Sequence, residues 1–403
     1  DRRFELDTAR TYLIVDYIVH YNGGVRMRVL ACCPPMEGVF APMVPLVKAL
    51  ISQGDEVTVA TGPELVERVR QAGLTAVGIG PTAPEAAGLA INDPVFAEGH
   101  EPWRLGATMF ARVMAPRRLP ELQKLIDEHK PDLVLQAPVD LAAPLAAASR
   151  GVPTLTYGTG LVLEQPLMSK MAEWVRPLWA EHGLDADENA GMYRDSYLNP
   201  VPATLQPELG PAAKISRSIR PHVPGALDDR LPDLGHRPVL YVSLGTVPVF
   251  NRRDVFEVLL TAVADLDAEV VVTVGHNNDP ATFKAPSNVH IEQWVSLAAL
   301  LPRCSAVLCH AGAGTTLAAL AHRLPLVLLP QGADQFPTAA ACRAAGVADV
   351  VTPDRFDAET VRQAVSKVLG GEHLAAALRM GDEIAAMPSA EEVARDLASA
   401  AVR

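Results

Sequence analysis

The sequence predicts an α/β protein built from two Rossmann-like, doubly wound parallel sheets facing each other across a cleft. Two observations carry that prediction. Short apolar, β-branched runs alternate with amphipathic stretches, and the alternation occurs twice, on either side of a proline-rich interval. Continuous apolar runs separated by helices belong to strands buried on both faces, which is the pattern of parallel sheets. The composition agrees: 403 residues, 49% hydrophobic and 20% charged, hold enough apolar material for two or three domains.

In chain order, residues 1–25 come first. "TYLIVDYIVHY" (Thr11–Tyr21) is apolar but interrupted by Asp16, and it lacks the basic region and cleavage site of a signal peptide. Met27 followed by "RVLACC" reads like a natural start, so 1–25 is expected to be an extension outside the fold. Strands are then predicted at "RVLACC", "EVTVAT", "TAVGIG", "DLVLQAP" and "PTLTYG", with helices such as "PMVPLVKALISQG" and "LPELQKLIDEHK" between them. These make 26–215 one open α/β domain. Asn199–Pro238 is dense in proline, which removes donors and disfavours helix, so an extended linker is expected, its core at 216–237. The alternation restarts over 238–385 with "VLYVSLG", "EVVVTVG", "VHIEQW", "AVLCHA", "PLVLLP" and "ADVVTP". The last residues are helical, and 386–403 is expected to pack back on the first domain.

The charge balance narrows the partners. With 47 acidic against 35 basic side chains and a net charge of −12, no basic patch suggests nucleic acid. Five cysteines without a C-x-x-C pair read as buried, reduced thiols of a cytoplasmic protein. No apolar run approaches the roughly 18 residues of a membrane span. A homodimer is left open.

Ligands of doubly wound sheets bind beyond the carboxyl ends of the strands, and the second domain concentrates its chemistry there. "VLCHAGAGTTL" (Val307–Leu317) leaves a strand with His310, then removes side chains at Gly312 and Gly314 as the next helix opens. Bare backbone N–H groups at a helix start favour an anion; Thr315, Thr316 and His310 add donors, the imidazole more effectively if protonated. A tight turn with a capping threonine explains the same residues. The pattern is not a dinucleotide fingerprint, because the third glycine is absent and no P-loop lysine follows. "SLGT" (Ser243–Thr246) ends another strand with Gly245 and two hydroxyls. Trp294 offers a plane for a base, or simply a core aromatic, and Asp334 with Gln335 opens a helix where sugar hydroxyls would sit. Together the four segments fit a nucleotide sugar.

The array W-V-x-L, H-x-G-x-G-T and P-Q-x-x-D-Q, in this order and spacing, resembles the bacterial family 1 glycosyltransferases of GT-B fold, especially actinobacterial enzymes of natural-product biosynthesis. The likeness spans residues 27–400. It implies that His310, Gly312, Ala313, Gly314 and Thr315 hold a diphosphate and that Ser243, Gly245 and Thr246 approach it from the other side. Trp294 and Val295 would border the base, and Asp334 and Gln335 would hold the donor sugar. It further implies a dTDP- or UDP-sugar co-substrate, inversion, and neither metal nor cofactor.

The first domain departs from that family. Its members commonly carry G-H-x-x-P after the first strand, the histidine acting as base, whereas Val39 stands between Gly38 and Pro42 here. Ala137 occupies the place of the acidic residue that orients the histidine in many relatives. Three readings follow. Asp140 or Glu37 replaces the base, although a helix cap also explains Asp140. Alternatively the acceptor is acidic enough to need little help, as a phenol or the activated carbon of an aromatic C-glycosyltransferase substrate would be. Or the protein binds a nucleotide sugar without transferring it. A GT-B-like epimerase is the more distant alternative. The acceptor pocket is expected among loops at 81–103 and 157–197, whose Phe96, Trp103, Trp174 and Trp179 suit a flat apolar molecule, as does nearby Phe110, although core packing explains each aromatic equally well.

Overall fold

The computed structural model describes residues 26–400 apart from 100, 102, 164 and 226–229. The expected extension at 1–25 therefore lies outside the described residues. The chain divides into two compact units. The first holds the residues up to Pro200, Glu208–Ile219 and the chain from Pro388 onward; the second holds Val201–Pro207 and Arg220–Met387.

The first unit is a seven-stranded sheet of β1 (Arg28–Cys32), β2 (Glu56–Thr61), β3 (Thr75–Gly78), β4 (Leu133–Gln136), β5 (Thr154–Tyr157), β6 (Ser196–Asn199) and β7 (Ser216–Ser218), in the order β3-β2-β1-β4-β5-β6-β7. Every pairing is parallel. Alternate residues feed two cores: Leu30, Cys32 and Val134 face one, Val29, Ala31, Leu133 and Leu135 the other. Burial on both faces is why the strands read as unbroken apolar runs.

The proline-rich interval differs from expectation. β6 runs into its start and β7 lies within it, so residues 216–218 are an edge strand of the first sheet rather than the start of a linker. An edge strand needs few apolar side chains, and "SRS" is largely exposed. The C-terminal helix Ala390–Ala400 belongs to this unit and packs on the helix Val44–Ser52, with Val393 and Ala394 buried beside Val47 and Leu50.

The second unit is a six-stranded parallel sheet of β8 (Val239–Ser243), β9 (Glu269–Thr273), β10 (Val289–Glu292), β11 (Ala306–Cys309), β12 (Leu326–Leu328) and β13 (Ala348–Val350), ordered β10-β9-β8-β11-β12-β13. Strand order reverses between β1 and β4 in one sheet and between β8 and β11 in the other. Such switch points open the crevice where ligands bind. All five cysteines are free, and burial pushes the thiols up, Cys309 to about 11. No described helix is long and apolar enough to cross a membrane.

One buried cation organises the carboxyl edge of the first sheet. The helix Ala115–His129 buries Leu119, Leu122, Leu125 and Ile126, and Arg118 lies on the same stripe, 1% exposed. Its guanidinium donates to the carbonyls of Cys33 (3.1 Å) and Ile79 (3.3 Å) and to Oδ2 of Asp140 (2.7 Å). Gly80, at φ +69°, stands where an added Cβ would lie 2.5 Å from Cγ of Arg118, so the stem requires glycine there. Removing one partner of a buried pair leaves a naked charge and typically costs about 3–5 kcal/mol. Asp140→Asn should therefore lower the unfolding free energy from urea titration by that order, and Arg118→Met with Asp140→Leu should recover most of it. A single variant within about 1 kcal/mol of the parent would show that carbonyls alone satisfy the guanidinium.

Candidate functional site

The site begins where β11 ends. After Cys309 the chain passes through His310 and through Ala311, which is held at φ 65°. A left-handed alanine stores strain of the kind concentrated at functional turns. The helix Ala313–Ala321 follows with Gly312 as its N-cap and no side-chain cap hydrogen bond. Its first amides are thus left for something other than a capping side chain. Thr315 is half-buried, while Thr316 turns into the core with its hydroxyl 3.8 Å from Sγ of Cys309. Of the two threonines, only Thr315 remains available.

The two glycines of the turn have different reasons. An added Cβ at Gly312 would overlap the His310 imidazole, and so would one at Gly245, which sits at φ +83° after β8. The ring is wedged between the two loops of the switch point. At Gly314 an added Cβ would meet nothing within 4 Å. Glycine in a helix costs about 0.5–1 kcal/mol relative to alanine, and no packing within the protein requires it here. The bare Gly314 leaves clearance on the outer side of the helix start.

His310 is 8% exposed and its Nδ1 has no hydrogen-bond partner. Burial pushes the imidazole down to about 4, with the Ser243 main chain opposing. The ring is consequently neutral near pH 7, not the protonated form that would donate more effectively. Ser243 is buried and its hydroxyl accepts from the Gly245 amide (3.2 Å), while Thr246 is exposed.

The neighbouring strand ends supply the remaining groups. Trp294, two residues past β10, is 40% exposed and lies parallel to His276, with ring centroids 5.7 Å apart and planes 8° apart. It is a surface plane and not a core aromatic. Val295 beside it is buried. After β12, Gln335 is buried and its Oε1 accepts from the amides of Gln331 (2.7 Å) and Gly332 (3.2 Å), so that oxygen holds the loop. Asp334 reaches solvent and makes no cap hydrogen bond, yet protein crowds it enough that burial pushes its carboxyl above the ordinary range. The Gln331 amide donates to the Phe250 carbonyl (3.3 Å), joining the loops after β12 and β8.

The candidate bases fare differently. Asp140 is 2% exposed and pairs with Arg118, so no acceptor hydroxyl reaches it; it is neither a base nor a helix cap but the counter-ion of a buried cation. Glu37, in the helix Glu37–Phe40, is partly exposed and pairs with Arg68 at 3.2 Å. Val39 is buried in that helix. Trp179, expected near the acceptor, is part of the core. Sequence reasoning missed Arg118, whose signal was an arginine on an apolar helical stripe, and also missed His276 and Asn251.

Two family models match the chain: the erythromycin biosynthesis protein CIII-like N-terminal domain over residues 48–190 and the corresponding C-terminal domain over 257–400. Among curated proteins, the L-demethylnoviosyl transferase of Streptomyces niveus is 32% identical, covering 93% of this chain and 98% of that one. The 3-alpha-mycarosylerythronolide B desosaminyl transferase of Saccharopolyspora erythraea is 30% identical over 91% and 96%. Among solved structures, the glycosyltransferase SnogD from Streptomyces nogalater is 28% identical with TM-score 0.75, over 93% of this chain and 99% of that one. Spinosyn rhamnosyltransferase SpnG complexed with thymidine diphosphate is 26% identical with TM-score 0.78, over 92% and 100%.

Two measurements test the turn. Gly314→Ala should raise folding stability by about 0.5–1 kcal/mol, through helix propensity, while weakening dTDP binding at least tenfold in calorimetric titration. Unchanged affinity would reduce the motif to a strand–helix turn. The second concerns acid stability. Above about pH 6.5 nothing is lost, because His310 is neutral in both folded and unfolded chains. Between there and about 4 only the unfolded chain takes the proton, so stability falls as pH falls. From about pH 7.5 to 5 the parent should lose about 2 kcal/mol more than His310→Asn in urea titrations.

Proposed function

Since the chain belongs to the erythromycin biosynthesis protein CIII-like family of antibiotic glycosyltransferases, we propose that it moves a deoxysugar from a dTDP-sugar to a small apolar polyketide or aromatic acceptor, with inversion. That it is a glycosyltransferase follows from the family; the donor, acceptor and stereochemistry are this proposal. The observation that carries it is the uncapped start of the helix Ala313–Ala321, with Gly314 clear and a neutral imidazole beside it. Amides aimed outward at a switch point favour a diphosphate without a metal. Thymidine diphosphate is named in the similar structures of SpnG and VinC, which favours dTDP over UDP.

The sugar would meet Asp334 and the free Nε2 end of Gln335. Beside them Phe336 (38%) and Val249 (66%) expose apolar surface, suited to a sugar that has lost hydroxyls. The curated relatives reported above are both named as transferases rather than as binding proteins. Transfer is therefore the better reading, and no cofactor enters it.

With Val39 in the place of the base and Asp140 occupied by Arg118, the acceptor's own acidity has to supply the nucleophile, Glu37 being the one remaining candidate carboxylate. A positioned base is typically worth 10²–10⁴-fold. Across a panel of phenols and aliphatic alcohols with a dTDP-sugar donor, turnover should track acceptor acidity, and Val39→His should raise the alcohols more than the phenols. Efficient transfer to simple alcohols, undiminished in Glu37→Gln, would overturn the acceptor-acidity reading.

A further inference from the structure

Resting on the nucleotide-site reading above, we infer that Asn251 is a positioning residue that couples the diphosphate turn to the base-stacking plane, so that filling one orders the other. Asn251 follows the turn Pro248–Phe250 and is 6% exposed. Its Nδ2 donates to the carbonyl of Gly245 (2.9 Å) and faces that of Val247 (3.5 Å). Two carbonyls on one side fix which end of the amide is which. Gly245 in turn abuts the His310 ring.

The other side of Asn251 leads to Trp294. Its main-chain carbonyl accepts from Nδ2 of Asn278 (3.0 Å), which also donates to the Val274 carbonyl (3.0 Å). Gly275, at φ +76°, stands against it: an added Cβ would lie 3.1 Å from Nδ2 of Asn251 and 3.7 Å from the Gly245 carbonyl oxygen. The Gly275 amide donates to the Gln293 carbonyl (3.2 Å), next to Trp294, and His276 stacks on that indole. A single side chain thus touches both loops, and a shift of the Gly245 loop is felt at Gly275.

Its Oδ1 is buried without a partner. A stabilising residue selected for packing alone would not leave an acceptor stranded. The amide is retained for its donor end, which aspartate lacks at nearly the same shape.

The test measures thymidine affinity with and without saturating inorganic pyrophosphate, by calorimetry. In the parent, pyrophosphate should tighten thymidine about fivefold or more, within the usual range of coupling between sites. In Asn251→Asp and Asn251→Ser that ratio should fall to about one, with affinity for thymidine alone kept within about twofold. No coupling in the parent, or full coupling in a folded variant, overturns the inference. Should neither variant fold, hydrogen exchange in the parent decides: pyrophosphate should slow the Gly275 amide, and unchanged exchange there overturns it. Binding without coupling defeats this inference alone, whereas failure of pyrophosphate and dTDP to bind at all defeats the nucleotide-site reading with it.

Discussion

The Arg118 guanidinium lies among the carbonyls of Cys33 and Ile79 with Asp140 as its counter-ion, and the first sheet's carboxyl edge is organised around it. Parallel strands all deliver their last carbonyls to one edge, where the connections to the following helices leave some of them without partners. A planar fork of five donors can satisfy several at once. The consequence reaches into the chain: Gly80 gives way to the arginine stem, and Asp140 is held in place against the guanidinium. The β1–β4 switch point is to that extent closed by the protein's own charge.

The second sheet resolves the same geometry in the opposite way. At the β8–β11 switch point the protein places an imidazole that burial keeps neutral, with glycine on either side, and leaves the next helix uncapped. A fixed cation there would demand a permanent counter-ion and would close the edge. Neutral donors leave it open while still favouring an anion through the helix dipole. The left-handed alanines 311 and 333 show that the loops after β11 and β12 are held in conformations alanine does not prefer. The charge economy of the two units is therefore complementary: one internal ion pair, one set of waiting amides.

Much of this was legible in the sequence, because two-face burial writes itself as apolar runs: all six strands of the second sheet coincide with runs recognisable beforehand. The edge strand Ser216–Ser218 was not legible, since an edge needs no apolar signature and prolines surround it. Site residues divide by whether their partner is local. The His310–Thr315 turn is contiguous and could be read as a unit. Asp140 could not, because a carboxylate at a strand end looks the same whether it faces a ligand or an arginine 22 residues away. Likewise Gly312 and Gly314 are identical letters; only the position of the His310 ring separates the glycine required by packing from the one that leaves clearance.

On the proposed reading, a missing base and an intact donor site are compatible for an energetic reason. In glycosyl transfer the bond to the diphosphate breaks as negative charge gathers on the leaving oxygen. Groups aimed at that charge act on the transition state more than on the bound donor. On the proposed reading, the amides at the start of the helix Ala313–Ala321 would supply such groups. Deprotonating the acceptor is a separate contribution, replaceable by the acidity of the acceptor itself. On that reading, a chain with Val39 in place of the base gives up breadth of acceptor while leaving the donor side untouched, and its selectivity would be set by which acceptors ionise readily enough to react.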